Sequence, residues 1–510
     1  MRILYLDLDA LNPSHLGCYG YHRDTSPNVD ALAAEGVRSE EVYCSDAPCL
    51  PSRTALYQGR FGIHTGVVGH GGTAADPKRE GPGRRFRSTY EEDSFPRRLQ
   101  KLGFHTAMIS PFGQRHAAHQ YYAGFHEIHN TGGGGQEPVQ EVEPVLDRWL
   151  DANVAEDSWY LHLNFWDIHT PYRTPLSYGN PFEGEPIADW YTEGLIAEHA
   201  KRGGPHSAQD LDMYHDPDTG RYPRLPARIT DRASLTEWID GYDVAIRYVD
   251  DALGRLFDRL KAAGVWEDTA VVVSADHGEN QGDLGIYGEH ATADRGTCRI
   301  PMIVRWPDGS GGTLSPGASD DRLHYHLDWP PTCLELLGAA GEAPAVWDGR
   351  SYAATLRDGT PAGRDALVLS QCAHVCQRSA RWDAPGGPHR WLYVRTYHDG
   401  LHPFPKHMLF DLAADPHELN DLAEQRPEVV REGAARILDW HDEAMAAVVR
   451  DCPDVVDPMY TVLSEGGPLH ARHDVHGEPV DLAVYAQRLR DTGRPEAAAA
   501  YEQRAAAAGR

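Results

Sequence analysis

Apolar and polar positions along the chain predict strands and helices in turn. Residues 3–8 form an apolar run without a helical stripe, which predicts a buried strand. Thr25-Ser26-Pro27 then predicts a helix start, with a hydroxyl cap and a proline in the first turn. Val29, Leu32 and Ala33 continue that helix and Gly36 stops it. Residues 104–109 and 160–165 predict two further strands. A long amphipathic helix is predicted over 235–263, because Tyr242, Ile246, Val249, Leu253, Leu256 and Leu260 fall on one face. Gly264 ends it, and the valine-rich residues 269–274 predict another strand. Strand, helix, strand in this order predicts an α/β fold with a large, mostly parallel sheet flanked by helices. Ligands of such sheets sit beyond the carboxyl ends of the strands. Asp9 and Asp276-His277 stand at two such ends.

The texture changes at about Ala366. Strands are predicted at 367–372, 391–397 and 408–412 with no long helix between them, followed by a helix at 427–449. This describes a small C-terminal antiparallel subdomain closed by one helix. The chain divides into a catalytic domain at 1–365, the small α+β subdomain at 366–450 and a polar tail at 451–510, helical near 497–508. Residues 71–85 and 132–135 read as loops. The loops at 71–90 and 179–230, with the tail, are where specificity would reside, and the tail has the reach to pack on a second subunit of a homo-oligomer.

A length of 510 residues holds one large and one small domain, and 41% hydrophobic residues suffice for a large core. A net charge of −28 repels nucleic acid and anionic membranes, so neither is an expected partner. An anionic substrate would need local positive charge from a metal, Arg, His or a helix N-terminus. Met1-Arg2 leads straight into the first strand, with no export segment, and no run has the length of a membrane span. The expectation is a cytoplasmic protein. Eight cysteines do not suggest a disulfide framework. Cys372 and Cys376 flank His374, but no second ligand pair follows, so they read as structural or free thiols.

The decisive stretch is Cys49-Leu50-Pro51-Ser52-Arg53-Thr54-Ala55-Leu56-Tyr57-Gln58-Gly59-Arg60. It reads as a cysteine at the mouth of a helix. Free N–H groups and the helix dipole favour an anion there, and Arg53 adds a fixed charge. A buried structural cysteine before a helix is an equal reading on these grounds alone.

The stretch resembles the sulfatase signature, Cys-x-Pro-Ser-Arg followed by a leucine and a Gly-Arg pair. Leu16-Gly17-Cys18-Tyr19-Gly20, Thr25-Ser26-Pro27-Asn28, His169-Thr170-Pro171-Tyr172, Asp276-His277-Gly278-Glu279 and Arg299-Ile300-Pro301 resemble further sulfatase landmarks in the same order. Leu409-Phe410-Asp411-Leu412 and Asp415-Pro416-His417-Glu418-Leu419 do so too, and the likeness runs over residues 1–445. It implies the alkaline phosphatase-like α/β fold. It also implies that Cys49 is oxidised to formylglycine by a separate maturation enzyme, whose hydrate attacks the sulfur of a sulfate ester. By the same resemblance one divalent metal, calcium or manganese, is held by Asp9, Asp276, His277 and modified Cys49. Arg53 activates the nucleophile, and His169 contacts the sulfate and leaving oxygen as a general acid.

The chain departs from the common pattern at several positions. Ala10 stands where many sulfatases have a second aspartate, and His277 where many have asparagine. A single aspartate with Asp-His resembles the phosphonate monoester hydrolase and phosphodiesterase branch. Asp7, two residues before Asp9 on the same strand face, compensates or is a buried structural acid. A family Lys-x-His pair is replaced by the region of Arg115 and His116, read either as substrate-binding or as surface. His290 takes the place of a family lysine as proton donor or substrate ligand, and His70 is a further substrate-binding candidate. The readings are then a sulfatase acting on a small-molecule or sugar sulfate ester, a phosphonate monoester or phosphodiester hydrolase, or a non-catalytic binding module that kept the fold. The third predicts lost motif residues, yet Cys49, Pro51, Arg53, Asp9, Asp276 and His277 are all present.

Overall fold

The first strand forms at Arg2–Leu8, where all seven residues are buried. In the computed structural model it lies inside an eight-stranded sheet. Its order is Ala318–Tyr325, Val37–Tyr43, Arg299–Arg305, Thr269–Ser274, Arg2–Leu8, Trp159–Phe165, His105–Ile109, Glu127–His129. Residues 1–78, 89–135, 137–211, 224–449, 455–473 and 479–508 are described. Residues 79–85 of the first predicted loop, 212–223 of the second specificity loop and 451–454 of the tail lie outside them. Every pairing in this sheet is parallel except those of Arg299–Arg305.

The predicted long helix spans Arg232–Ala262 and buries Tyr242, Ile246, Val249, Leu253, Leu256 and Leu260, the face its periodicity marked. Burying each such aliphatic side chain contributes ~1.5–3 kcal/mol. The helix also shapes the loop after the first strand. The Tyr242 hydroxyl donates to the carbonyl of Ala10 and accepts from the N–H of Asn12, at 2.7 and 2.8 Å. Among the described residues no helix is long and apolar enough to cross a membrane.

The early helix spans Pro27–Glu35, with proline in its first turn as predicted. Its expected hydroxyl cap is a correction. Ser26 makes no capping hydrogen bond; its hydroxyl accepts from Gly17 N and donates to Asp30. The N–H groups of Asn28 and Val29 donate instead to Asp250 on the long helix, both at 2.9 Å. A carboxylate brought in by tertiary packing replaces the local cap.

The second sheet is ordered His407–Asp411, Arg390–His398, Cys376–Asp383, Ala366–Gln371, Asp46–Ala47. Its first four strands are antiparallel. The short strand Asp46–Ala47 joins in parallel, through Ser370 and Gln371. It lies just before Cys49, so the nucleophile candidate is anchored to both sheets. The tail forms helices at Pro458–Ser464, Leu469–Arg472, Leu482–Asp491 and Pro495–Ala508. It packs on its own chain: Tyr485 and Arg494 both bond Asp210, and Tyr485 accepts from Gly204 N.

Candidate active site

Adjacent parallel strands lie about 4.8 Å apart, so residues just past their carboxyl ends converge. Arg2–Leu8 is flanked by Trp159–Phe165 and Thr269–Ser274, with Asp7 opposite Asn164 and Ser274. This register brings Asp9, the segment Trp166 to His169 and Asp276-His277 together. Ala10 turns the chain in the left-handed region at φ 61°, and its N–H donates to Asp276 Oδ1 at 3.3 Å. Such a backbone state costs a non-glycine residue of order 1 kcal/mol and clusters at functional sites.

Cys49 opens the helix Cys49–Gln58, whose residues are all buried. No side chain caps its N-terminus, so its first N–H groups and positive dipole face the cluster. Gly59 ends the helix at φ 60°, a left-handed cap that favours glycine. Cys49 Sγ lies 3.1 Å from His277 Nε2. Asp9, Cys49, Asp276 and His277 form one buried group whose ligand atoms all lie within 4.8 Å of one another.

Arg53, one turn along the helix, holds three carboxylates. Its Nε donates to Asp7 Oδ2 at 2.6 Å and its Nη2 to Asp9 Oδ2 at 2.8 Å. Its Nη1 is 2.9 Å from Asp276 Oδ2 but off line, an ion pair without a hydrogen bond. Asp7 also meets His162 at 3.1 Å and is not a member of the four-ligand group. Burial would raise the Asp7 and Asp276 carboxyls, but the Arg53 charge together with His162 at Asp7, and with His277 and His290 at Asp276, holds both below the ordinary range. Asp9 goes the other way, up to about 6, through burial and then the Asp276 charge.

The donor set fits a divalent cation. Asp9 Oδ1 is buried without a hydrogen-bond partner, which costs free energy unless something binds it. The His277 Nδ1–H donates to the carbonyl of Gly278 at 2.8 Å, which orients the ring with Nε2 toward Cys49. Two carboxylates, one imidazole and the residue-49 side chain are donors that a divalent cation accepts.

Histidines line the other side. The His290 ring lies 3.9 Å from that of His277. His290 reaches Glu279 Oε2 at 3.2 Å through Nδ1 and Glu289 Oε1 at 3.0 Å through Nε2. Burial would lower its pKa, but Glu289 together with Cys49 and Glu279 raises it well above the ordinary value. His169 is 5.2 Å from His290, centroid to centroid. It bonds the Thr170 carbonyl through Nδ1 and is held neutral by burial and then by His290. The Arg115 guanidinium lies 4.9 Å over Trp166, and the His116 ring lies 4.7 Å from those of both Phe112 and His70, tilted against each. Neither is a purely surface side chain. The seven described cysteines are free, Cys372 and Cys376 among them.

Sequence reasoning did not single out Glu289, His374 or His470 as site residues. Glu289 adjoins His290, and His374 stood out only for its flanking cysteines. Nothing near His470 in the polar tail signals that it reaches this cluster.

Asp167, at the end of the same sheet, yields a pH prediction. It is fully buried and neither of its oxygens has a well-formed hydrogen bond. Burial pushes its carboxyl up to about 7. A raised folded-state pKa stabilises below the unfolded value, ~3.9, and that stability is lost as pH rises through 7. Asp167→Asn is therefore expected to gain stability over the parent chain between pH 5 and pH 8, by at most ~3 kcal/mol. Denaturant titrations at both pH values check it; a stability difference independent of pH sinks the assignment.

Comparison with known proteins bears on the family and the fold. A family model described as sulfatase matches residues 2–339. N-acetylglucosamine-6-O-sulfatase of Bacteroides thetaiotaomicron is 22% identical, over 82% of this chain and 82% of its own. The solved structure of BT4656 in complex with its substrate D-glucosamine-2-N,6-O-disulfate superposes with a TM-score of 0.68 at 18% identity, over 87% of this chain and 98% of that one. The phosphonate monoester hydrolase of Agrobacterium radiobacter superposes with a TM-score of 0.63 at 20% identity, over 87% and 96%.

Proposed function

The chain belongs to the sulfatase family, and on that premise we propose that it hydrolyses a sulfate monoester of a sugar or small organic alcohol with residue 49 as nucleophile. The observation that carries this reading is the placement of Cys49. It sits at an uncapped helix N-terminus, 3.1 Å from His277, in one buried group with Asp9 and Asp276. The relatives support a sugar, since one is a sulfatase of N-acetylglucosamine and another is bound to a glucosamine disulfate.

Conversion of Cys49 to formylglycine by a maturation enzyme would supply an aldehyde whose hydrate offers two hydroxyls, one to attack and one to be deprotonated. A calcium or manganese ion held by Asp9, Asp276, His277 and modified residue 49 would supply Lewis acidity toward that hydroxyl and the sulfate oxygens. The protein's own residues do the rest. Arg53 fixes Asp9 and Asp276 in place and contributes a buried positive charge beside residue 49. The N–H groups of its helix receive the anion. His290, kept protonated between two glutamates, holds a proton for the leaving oxygen, and neutral His169 beside it contacts the same oxygen. Arg115, His116 and His70 line the substrate side.

One observation favours a second reading, hydrolysis of phosphonate monoesters or phosphodiesters at the same site. The metal group has a single strand-end aspartate with Asp-His, Asp7 being engaged by Arg53 and His162. A panel of aryl sulfate, aryl phosphodiester and aryl phosphonate substrates decides between them, run on protein whose residue-49 peptide has been weighed. The expected result is a formylglycine mass and a kcat/KM highest on the sulfate. A higher kcat/KM on a diester selects the second reading.

A further inference from the structure

A second cluster stands beside the first. His70, His374 and His470 each present a ring nitrogen within 4.8 Å of the other two. They come from three distant parts of the chain. His70 follows the helix Gly62–Thr65, His374 lies in the turn between Ala366–Gln371 and Cys376–Asp383, and His470 is on the tail helix Leu469–Arg472. The His374 and His470 rings stack 4.2 Å apart at 8°. The His470 N–H donates to the carbonyl of Ala373 at 3.2 Å, and a Cβ on Gly71 would meet Leu469 at 2.7 Å. The tail segment is thus seated against the two loops that carry the other histidines. His70 Nε2 is buried and has no hydrogen-bond partner.

We propose that His70, His374 and His470 form a second metal site, for a transition cation of the Zn2+ class. Three imidazoles in reach of one point are a characteristic zinc donor set, distinct from the oxygen-rich group around Asp9. Burial disfavours the protonated forms of all three rings, with His470 lowered to about 4, so their lone pairs stay available. Glu289 lies 3.4 Å from His374 Nε2, near enough to supply a carboxylate. His70 also groups with Cys49 and His116, which sets the cation beside residue 49. There it gives a chain of net charge −28 a local positive charge for an anionic substrate. That role rests on the proposed function; metal binding itself does not.

The test uses the full chain, purified without a histidine tag, stripped with a chelator, reloaded with Ca2+ and titrated with ZnCl2. Bound metals are counted by mass spectrometry and Zn2+ affinity is measured by calorimetry. The expected result is one Zn2+ per chain bound without displacing Ca2+. His470→Gln and His374→Gln should each weaken it by at least ~100-fold and leave Ca2+ content unchanged. Zn2+ should also slow proteolysis of the tail in the parent chain but not in His374→Gln, which leaves the tail sequence intact. Zn2+ that binds only by displacing Ca2+, or that both variants bind as tightly as the parent, overturns the proposal and leaves the sulfatase reading standing.

Discussion

Cys49→Ala is expected to lower kcat/KM on the preferred ester by at least ~10³-fold while leaving stability nearly unchanged. The side chain is small and 1% exposed, so removing its sulfur opens little volume, and the three carboxylates keep their contacts to Arg53. What disappears is the only atom of residue 49 that can become a nucleophile. Cys49→Ser separates two chemistries. A serine hydroxyl can attack, but it has no second hydroxyl to lose a proton and release sulfate, so at most one turnover per chain is expected. Burst kinetics against a known protein concentration measure this. Activity of Cys49→Ala within ~10-fold of the parent would place the nucleophile elsewhere.

Arg53→Met carries the second large effect. Arg53 is 2% exposed and faces Asp7, Asp9 and Asp276 at 2.6, 2.8 and 2.9 Å. Removing it leaves three buried carboxylates without their shared cation, and uncompensated buried charge costs ~3–5 kcal/mol. The sign with pH follows. Without Arg53 the folded-state pKa values of all three acids rise, for Asp7 and Asp276 from below the ordinary range and for Asp9 from about 6, so the variant loses stability as pH increases and recovers part of it toward pH 5. A saturating divalent metal should offset part of the loss, since it binds the folded chain at the same carboxylates. Arg53→Lys keeps a charge but cannot fork to three acids, so it is expected to recover stability ahead of activity. Denaturant titration of both variants, with and without metal, checks the set. A loss below ~1 kcal/mol in Arg53→Met would mean the acids are not charged together in the folded state.

The two effects differ because Cys49 and Arg53 do different work from neighbouring turns of one helix. Cys49 lies in the buried group with Asp9, Asp276 and His277 and is positioned by it. Arg53 faces inward and holds Asp7, Asp9 and Asp276 together. With Asp7 bonded to both Arg53 and His162, the first strand contributes one acid to the metal group and one to its support. The solved structures with the same fold include a glucosamine disulfate complex and a phosphonate monoester hydrolase, so the choice of ester lies with the side chains lining the approach.

Much of this protein follows from its sequence alone. Continuous apolar runs place the strands Arg2–Leu8, Trp159–Phe165 and Thr269–Ser274, and a period of three to four places the helix Arg232–Ala262, each to within a few residues, because the strands are buried on both faces and the helix on one. The run Cys49 to Arg60, with Asp9 and Asp276-His277 at strand ends, marks the chemistry, since motif residues adjacent in sequence stay adjacent in space. Other features were decided only by tertiary structure. Val37–Tyr43, with two glutamates and an arginine, shows no strand pattern. It becomes one because it pairs between Arg299–Arg305 and Ala318–Tyr325, and its buried Glu41 is matched by Arg381 at 3.2 Å. The cap of Pro27–Glu35 comes from Asp250, more than two hundred residues away. His374 and His470 enter the site through loop and tail packing that no local period encodes. A local pattern reports which face is buried; which distant polar groups meet there depends on how the whole chain closes on itself.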